Sequence, residues 1–494
     1  MQIAAHVGIS GFAAAVPPYR VSLEAWSRWR GADADKTRAV VGEAFRVAGP
    51  GQSVYTLAAD AAMALIRQHG IDPRQVGYLA VGTESSTDNA TSAALVVRGM
   101  LDAALLAEGL PALARDVEVP EFKQACIGGL YALKGALRYV ALEGAGRVAI
   151  VVAADLAEYA LGSSGEPTQG AGAVAMLVQA QPRLLALDLQ RAASASRYRA
   201  LDFRKPFSRY VGQAPSDDGR PRDFPMFNGK YSTACYVDET LASLQAQAVG
   251  GGLRQGERAA WLHSLAAVFM HRPYHRMPVA AWSMAYVFAL GQDAPHAAAA
   301  QAQLAALAGA AGVPLDAVQA EMASEPDLLG PALGGTLVED AYPLTTQLVK
   351  ALRETPLYRE VVDDKMVLGS GVTRQLGNLY CASLPAWLAA GLEEAAQRGT
   401  ALDGRDLLLV GYGSGDASEV LPAQVVPGWQ AAALRTGWPA ALAGAVDLTQ
   451  AQYEALHEGH AAEGLAAPVP RGFAVERIGQ APHERGVELY RWHG

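Results

Sequence analysis

The sequence predicts an α/β fold made of two similar halves, and three observations lead to that prediction. Short apolar runs alternate with amphipathic helical patterns along the 494-residue chain. Continuous apolar runs of this kind are typical of strands in a sheet that is covered on both faces. A strand–helix–strand arrangement also occurs in each half, with chemically useful residues at matching places. Because ligands gather at the carboxyl ends of strands, we expect those residues to converge on one site.

The first half contains three predicted strands and one strongly periodic helix. The strands cover residues 76–85, 147–157 and 172–180. Between the first two strands lies a helix with leucines at three- and four-residue steps, from Leu130 to Leu137. That spacing places the leucines on one buried face.

The second half repeats this scheme. A strand within 265–277 ends in polar residues. The segment 376–396 is a loop that opens into an amphipathic helix, and a strand at 406–415 runs into a glycine loop. Between the first two, an alanine-rich stretch at 297–312 predicts additional helix from intrinsic propensity. The polar segment 204–229, rich in Pro, Gly and Asp, is expected to be a long surface loop.

Composition narrows the class of protein. Hydrophobic residues make up 51% and charged residues 18%, an ordinary balance for a globular chain. The formal net charge of −9 argues against nucleic acid or an acidic membrane as a partner. The three cysteines fit neither a disulfide framework nor a zinc site, which favours a reducing cytoplasm. We see no signal peptide and no apolar stretch long enough to span a bilayer.

Cys126 lies at the start of the periodic helix, in the segment EFKQACIGGLYALKG. We expect it in the first helical turn, where unpaired backbone N–H groups and the positive end of the helix dipole favour a nucleophilic thiolate. Gly128 and Gly129 lack side chains, so a ligand or a second backbone can come close. The alternative is a structural cysteine buried in the core, the commoner fate of a free cysteine.

Glu84 and His271 each follow a predicted strand and are the candidates for acid–base chemistry. Small residues surround Glu84, so its carboxylate can enter a cleft, where partial desolvation raises its pKa and suits it to act as a general base. The imidazole of His271 suits general acid work or hydrogen bonding to a carbonyl. The alternatives are a solvated loop carboxylate and a structural histidine, with His275 as the main competitor for the histidine role.

The glycine loop around Ser414 resembles a nucleotide-binding loop only superficially, because it lacks the lysine of that motif. We expect backbone N–H groups near Ser414 and the N–H of Cys126 to form an oxyanion hole. Basic residues clustered near the site would offset the net negative charge. The candidates for binding a phosphate group are Arg204, Lys205, Arg272 and Arg276.

Together these motifs resemble the 3-hydroxy-3-methylglutaryl-CoA (HMG-CoA) synthase family, within the thiolase-like condensing enzymes. The resemblance covers nearly the whole chain, and its motifs occur in a specific order. They are VPPYR, GTESSTDNATSAA, EFKQACIGG, GEPTQGAGAVAML, FPMFNGKYSTACY, HRPYHRM, GNLYCASL and GYGSG.

The resemblance implies a thiolase-like fold, in which two pseudo-symmetric βαβ halves form a layered α-β-α-β-α core. The first half would span 1–200 and carry Glu84 and Cys126. The second would span 201–494 and carry His271, Asn378 and Ser414, with a helical segment inserted at about 285–365. The family also suggests a homodimer.

The resemblance further implies a role for each site residue. Cys126 would take the acetyl group of acetyl-CoA as a thioester, and Glu84 would remove a proton from the acetyl methyl group. His271 and Asn378 would bind acetoacetyl-CoA, whose ketone is attacked, and water would then release HMG-CoA. Tyr159 matches an active-site tyrosine of the family, Ser414 would contact substrate, and Arg276 stands where the family usually has a CoA-binding lysine. Arginine keeps the charge but changes the geometry.

The reaction requires no metal or redox cofactor, and the CoA thioesters are its substrates; a cytoplasmic enzyme of the mevalonate pathway is the expected context. Three features depart from the family. The segment between His271 and Asn378 is longer than in typical bacterial members, Tyr274 replaces a phenylalanine, and Cys381 stands where threonine is common. We expect Cys381 to pack rather than to react.

Four other functions stay open at this point. One is a polyketide β-branching enzyme, which performs the same condensation on an acceptor held by an acyl carrier protein. A second is a ketoacyl synthase III-like enzyme using Cys126, His271 and Asn378, although that chemistry does not need Glu84. The third is a non-catalytic partner-binding protein, and the fourth is a cysteine hydrolase, for which no protease signature surrounds Cys126.

Overall fold

The structure is a computed structural model that describes residues 6–206, 224–465 and 471–494. Most of the predicted loop at 204–229 lies outside the described residues. The strands are β1 Val7–Ala15, β2 Tyr19–Ser22, β3 Ala44–Val47, β4 Val76–Gly82, β5 Glu121–Phe122, β6 Val148–Ala157, β7 Gly170–Ala180, β8 Leu185–Leu187, β9 Ala193–Ser196, β10 Ala267–Met270, β11 Asp406–Gly413, β12 Ala417–Val425, β13 Val446–Asp447, β14 Gly472–Ile478 and β15 Glu488–His493.

Helices surround these strands on both sides. The helices are α1 Leu23–Arg30, α2 Ala34–Val40, α3 Val54–His69, α4 Ala93–Ala107, α5 Gly128–Leu142, α6 Gly229–Gly250, α7 Arg258–Ser264, α8 Arg276–Asp293, α9 Ala298–Ala311, α10 Leu315–Met322, α11 Leu329–Leu333, α12 Pro343–Arg353, α13 Pro356–Tyr358, α14 Asp364–Met366, α15 Ser370–Thr373, α16 Ser383–Gln397, α17 Gln430–Ala433, α18 Trp438–Leu442 and α19 Gln450–His457. A π-helical turn, Arg359–Asp363, joins α13 to α14.

A ten-stranded sheet runs through the molecule in the order β10-β11-β12-β8-β1-β7-β6-β4-β5, and β9 pairs with β12. In the first half β4 and β6 are parallel, and β6 then forms an antiparallel pair with β7. In the second half β10 and β11 are parallel, and β11 then pairs antiparallel with β12. The same connectivity therefore occurs twice, with α5 and α16 in the two crossovers.

The helices cover the strands in layers. Helices α3 and α4 share one hydrophobic cluster with one face of β4, β6 and β7, and α5 packs on the opposite face. Helix α5 also packs against the second half. The contact with β11 is so close that a Cβ atom added at Gly411 would lie 2.6 Å from the side chain of Leu130. Helix α6 packs against β9 and β12. Helices therefore cover both faces of the sheet, as the predicted α/β fold requires.

The region between His271 and Asn378 is mostly helical. Helices α8, α9, α10 and α12 pack against one another and extend the large core cluster that joins the two halves. Among the described helices, none is long and apolar enough on its own to cross a membrane. The bent pair α9 and α10 meets that test only when the two are taken together across a 112° break.

Candidate active site

One cavity of about 590 Å³ opens between the two halves. Cys126 and Tyr159 line it from the first half, and His271, Asn378 and Ser414 line it from the second. Several aromatic residues also line it. They include Phe203, Phe227, Tyr274 and Tyr380. The sequence-predicted residues at the carboxyl ends of the strands therefore do meet at one place.

Cys126 lies in a tight loop rather than in the first turn of the helix, so that expectation was wrong. Helix α5 begins at Gly128, and no side chain caps it. Ala125, just before the cysteine, has a φ of 42°, a left-handed conformation that is uncommon for residues with a side chain and concentrated at functional sites. The loop thus presents the half-buried thiol to the cavity.

The electrostatic expectation for Cys126 is also corrected. Burial raises the pKa of the thiol well above its usual range, and the carboxylates of Glu84 and Asp155 raise it further. Desolvation and two nearby carboxylates disfavour a thiolate more than the helix end favours it. The resting cysteine is a thiol.

Glu84 lies directly beside this thiol. Its Oε1 atom is 4.0 Å from the Sγ atom of Cys126, and its side chain is 6% exposed. Burial raises the pKa of Glu84 to about 7; the charge of Asp155 adds to the rise and the charge of Lys205 opposes it. A carboxyl group that titrates near neutral pH is suited to general base chemistry.

Asp155 organises the loops on both sides of the site. Its Oδ1 atom accepts hydrogen bonds from the backbone N–H of Glu84 at 2.8 Å and from the hydroxyls of Thr83 and Ser85. Its Oδ2 atom accepts the N–H of Cys381 at 2.8 Å. This buried side chain therefore ties the loop of the general base to a loop of the second half, a role that sequence reasoning missed.

Lys205 is the second residue whose position the sequence did not predict. It was a candidate for binding phosphate, but its Nζ atom lies 3.5 Å from the Oε1 atom of Glu84. The same ammonium group sits 4.4 Å from the centre of the Tyr380 ring.

His271 is held by its backbone at the end of β10. Its N–H donates to the carbonyl of Val410 at 2.8 Å, and its carbonyl accepts from the hydroxyl of Tyr236 at 2.8 Å. Its Nδ1 atom is buried and has no hydrogen-bond partner among the described residues. Burial lowers the pKa of His271 to about 3, so the imidazole is neutral at neutral pH.

His275, the competitor, does not line the cavity. Its Nδ1 atom pairs with the guanidinium of Arg272 at 2.7 Å. Because its ring is already engaged in that contact, His271 is the better candidate for contact with substrate.

Asn378 approaches the cavity from the loop before α16. Its backbone N–H donates to the carbonyl of Thr168 at 2.9 Å. Its carboxamide oxygen accepts from the N–H of Tyr380 and the hydroxyl of Ser383, each at 2.9 Å. These contacts occupy the oxygen and leave the NH₂ group to donate to a ligand.

Cys381 is buried beneath the loop of Cys126 and packs there. Its thiol donates to the carbonyl of Ala125 at 3.1 Å, and it is absent from the cavity lining.

Ser414 lies opposite Cys126. The side chain of Gln124 donates to its carbonyl at 3.2 Å, which joins the cysteine loop to the glycine loop. Within the described parts of the chain, the N–H groups of Cys126 and Ser414 have no hydrogen-bond acceptor. Both remain available for an oxyanion, as the sequence predicts.

Tyr159 packs in the aromatic wall. Its ring centre lies 5.4 Å from that of Phe227 and 6.4 Å from that of Tyr380. Its backbone N–H donates to the side chain of Gln169 at 2.8 Å. These contacts hold a rigid apolar surface beside the cysteine.

The other predicted phosphate contacts lie away from the cavity lining. Arg276 is exposed at the start of α8. Arg204 donates to the carbonyls of Leu201 and Asp202. Arg272 is buried against Trp387 and bonds Thr373, so its prediction as a phosphate contact was wrong.

A buried polar cluster lies behind the cavity wall. It contains a carboxyl oxygen of Asp202, a carboxyl oxygen of Asp416 and the Sγ atom of Cys235, which all lie within 4.8 Å of one another. The Tyr412 hydroxyl lies within hydrogen-bond distance of both carboxyl groups, and Arg199 pairs with Asp416 at 2.7 Å. Burial raises the pKa of Asp416 to about 8.

Known proteins resemble the chain over most of its length. A family model described as "Hydroxymethylglutaryl-coenzyme A synthase N terminal" matches residues 3–182. A hydroxymethylglutaryl-CoA synthase of Enterococcus faecalis is 28% identical over 451 residues, covering 91% of each chain. One of Haloferax volcanii is 25% identical and covers 83% of this chain and 81% of that protein.

Solved structures agree. The structure of "MvaS in complex with 3-hydroxy-3-methylglutaryl coenzyme A" matches with a TM-score of 0.76 at 29% identity, covering all of both chains. The curacin pathway HMG synthase in complex with holo donor-ACP matches with a TM-score of 0.71 at 19% identity, over 99% of this chain and all of that one. The second likeness bears on the fold alone. The predicted thiolase-like fold is confirmed.

Proposed function

We propose a specific reaction for this chain on the premise that it belongs to the hydroxymethylglutaryl-CoA synthase family and is an acyl-transferring condensing enzyme. The reaction is the condensation of acetyl-CoA, acetoacetyl-CoA and water to give HMG-CoA and free CoA. The observation that carries it is the 4.0 Å distance between the Sγ atom of Cys126 and the Oε1 atom of Glu84, where Cys126 lines one cavity with His271 and Asn378.

In the first step Cys126 becomes acetylated. The thiol gives its proton to Glu84, and sulfur attacks the thioester carbonyl of acetyl-CoA. The N–H groups of Cys126 and Ser414 stabilise the tetrahedral oxyanion. The thiolate of CoA leaves and takes the proton back from Glu84, which restores the carboxylate. A thioester intermediate divides one difficult condensation into two easier steps.

In the second step Glu84 removes a proton from the acetyl methyl group. The resulting enolate attacks the ketone carbon of acetoacetyl-CoA, and the ketone oxygen becomes an alkoxide. The alkoxide takes up the proton that Glu84 removed from the methyl group, which restores the carboxylate. Neutral His271 and the NH₂ group of Asn378 donate hydrogen bonds to that oxygen. Water then hydrolyses the thioester at Cys126, which releases HMG-CoA and regenerates the thiol.

Free CoA is the proposed carrier of the acceptor. Two proteins that match over nearly the whole chain, at 28–29% identity, are a hydroxymethylglutaryl-CoA synthase and a protein solved with HMG-CoA. The synthase solved with a donor carrier protein is 19% identical. Cytoplasmic location, the mevalonate pathway and the absence of a metal or redox cofactor stay predictions.

Steady-state turnover tests the proposal. Purified protein is expected to consume acetyl-CoA and acetoacetyl-CoA and to release one CoA per HMG-CoA. Activity only with an acceptor bound to an acyl carrier protein would contradict the choice of free CoA. Condensation unchanged by Glu84→Ala would contradict the mechanism itself.

The acetyl-enzyme supplies a second test. When the protein is mixed with labelled acetyl-CoA and the reaction is then quenched, the peptide that contains Cys126 is expected to carry the label. The Cys126→Ala change is expected to remove it. Cys235→Ala is the matched control, because Cys235 is buried outside the cavity lining. Label retained in Cys126→Ala would identify another nucleophile.

A further inference from the structure

We propose that Lys205 is a positioning residue for the general base, holding the Glu84 carboxylate beside Cys126 as an anion. This inference rests on the proposed function, in which Glu84 removes the methyl proton. It replaces the sequence-based prediction that Lys205 binds a substrate phosphate.

The first argument is geometric. The Nζ atom of Lys205 lies 3.5 Å from Oε1 of Glu84, the same oxygen that faces the Sγ atom of Cys126 at 4.0 Å. On its other side the ammonium group lies 4.4 Å from the ring centre of Tyr380 and 5.8 Å from that of Phe203. Ring faces attract cations, so the ammonium is held between aromatic surface and carboxylate.

The second argument is that the loop carrying Lys205 is fixed independently of Glu84. Arg204 exchanges backbone hydrogen bonds with Met226, and its guanidinium donates to the carbonyls of Leu201 and Asp202. The Asp202 carboxyl group is in turn held by the hydroxyl of Tyr412. The ammonium is therefore placed before substrate arrives, which is the condition for an electrostatic contribution without reorganisation.

The third argument is charge balance. Glu84 is almost fully buried, and the buried carboxyl of Asp155 lies nearby. Burial of an unpaired carboxylate is costly, and the group then holds its proton instead. The titratable groups that face Glu84 are Cys126, Asp155, Tyr159, Lys205, Tyr380, Cys381 and, at the surface, Lys123.

Among these groups Lys205 is the cation in direct contact with Glu84, and it opposes the effect of burial on the pKa of that carboxyl. A protonated Glu84 cannot remove the methyl proton. Loss of the Lys205 charge therefore leaves less active base at neutral pH, although the other reacting groups are unchanged.

The experiment is the pH profile of kcat/KM for condensation in Lys205→Met, Lys205→Gln, Lys205→Arg and Lys123→Met. We expect the acid limb of both neutral Lys205 variants to move to higher pH by about 1–3 units, the effect of removing an opposite charge at this distance. Lys205→Arg keeps the charge and is expected to keep a limb close to that of the parent. Lys123→Met is the matched control and is expected to move the limb much less, because Lys123 is exposed.

A lower rate with an unmoved limb in both neutral variants would overturn the proposal, since that is the result of a purely structural role. The proposal would also be overturned if the acid limb of the kcat/KM profile of Lys205→Arg lay at as high a pH as that of Lys205→Met. Labelling of Cys126 by acetyl-CoA reports that each variant is folded. If Glu84→Ala retains condensation, the proposed function fails; if Glu84→Ala is inactive and the limb does not move, only the role of Lys205 fails.

Discussion

Glu84 lies beside Cys126, and His271 lines the same cavity as Cys126; burial moves the pKa values of Glu84 and His271 in opposite directions. It raises the pKa of the carboxyl group to about 7 and lowers that of the imidazole to about 3. In both cases desolvation disfavours the charged form. At neutral pH the site therefore holds a partly ionised carboxyl group and a neutral histidine. The two titrations are far enough apart to be assigned.

The pH dependence of condensation follows from this separation. We expect kcat/KM to fall as pH decreases through about 7, because protonation of Glu84 removes the base. His271 is neutral on both sides of that limb, so His271→Asn is expected to lower the rate without moving the limb. The measurement is kcat/KM between pH 5 and pH 9. A limb that moved with His271→Asn would show that the histidine, not Glu84, titrates there.

The two neighbouring histidines are expected to differ sharply. His271→Ala removes a donor from the cavity, and we expect a loss of about 10²–10⁴-fold in condensation, the usual contribution of such a group. His275→Ala, whose ring contacts Arg272 instead, is expected to stay within a few-fold of the parent. Steady-state rates with both substrates measure this. Equal losses would contradict the assignment of His271 to the acceptor site.

At the level of elements, the end of β4 and the start of α5 approach closely. A side chain at Gly82 would lie 2.5 Å from the backbone nitrogen of Gly129. A side chain at Gly129 would lie 2.6 Å from the carbonyl oxygen of Cys381 and 2.9 Å from Ala153. This contact places Cys126 beside Glu84. Gly82 and Gly129 are required because a side chain at either position would not fit between the two elements.

Two glycine-to-alanine changes test that requirement. Gly129→Ala is expected to lower the free energy of unfolding by about 1–3 kcal/mol, because the backbone atoms it meets cannot move aside. Gly309→Ala, in α9 with nothing within 4 Å, is expected to raise it by about 0.5–1 kcal/mol through helix propensity alone. Denaturant unfolding compares the two, and acetylation of Cys126 is expected to fall only in Gly129→Ala. Similar stabilities would contradict the close approach.

Sequence periodicity was sufficient to predict α5 and the strands that flank it, because the apolar residues of a buried face recur at regular spacing along the chain. It could not locate the first turn of α5, since no side chain caps that helix. It also gave the wrong direction for the pKa of Cys126: the helix end is a local feature, whereas desolvation and the charge of Glu84 arise only in the folded protein.

Motif order was sufficient to bring Glu84, Cys126, His271 and Asn378 together. It did not predict the contact between Lys205 and Glu84, because Lys205 is followed by a segment without periodic signal and the carboxylate is far away in sequence. Asp155 escaped notice for a related reason, because it lies within an apolar strand and its four hydrogen-bond donors come from two other loops.

On the scale of the whole molecule, the site depends on how the two halves meet. Asp155 links the loop of Glu84 to that of Cys381, and Gln124 links the cysteine loop to Ser414. All the proposed catalytic groups come from one chain. A second subunit is therefore not required to complete the chemistry, and any dimer has to be argued from the outer surface.

Among the described residues, that surface includes an apolar stripe beside an edge of the ten-stranded sheet. Strand β5 ends the order of the ten-stranded sheet, and the start of α4 is tied to it by the N–H of Ala93, which donates to Glu121. Along α4, Leu95, Ala103 and Leu106 are exposed, Leu106 by 62%. The two leucines are eleven residues apart, about three helical turns, so they share one face. An apolar face next to an unpaired edge is typical of an interface.

We therefore propose that the predicted homodimer forms through α4 and β5. Leu106→Lys is expected to shift the protein from dimer to monomer at micromolar concentration, because a charge in the interface loses its hydration. Leu333→Lys, equally exposed on α11, is the matched control and is expected to stay dimeric. Light scattering after size-exclusion chromatography measures both, and labelling of Cys126 in the monomer reports that it is folded. A monomeric parent protein, or a dimer that survives the combined Leu95→Lys and Leu106→Lys changes, would show that this face is not the interface.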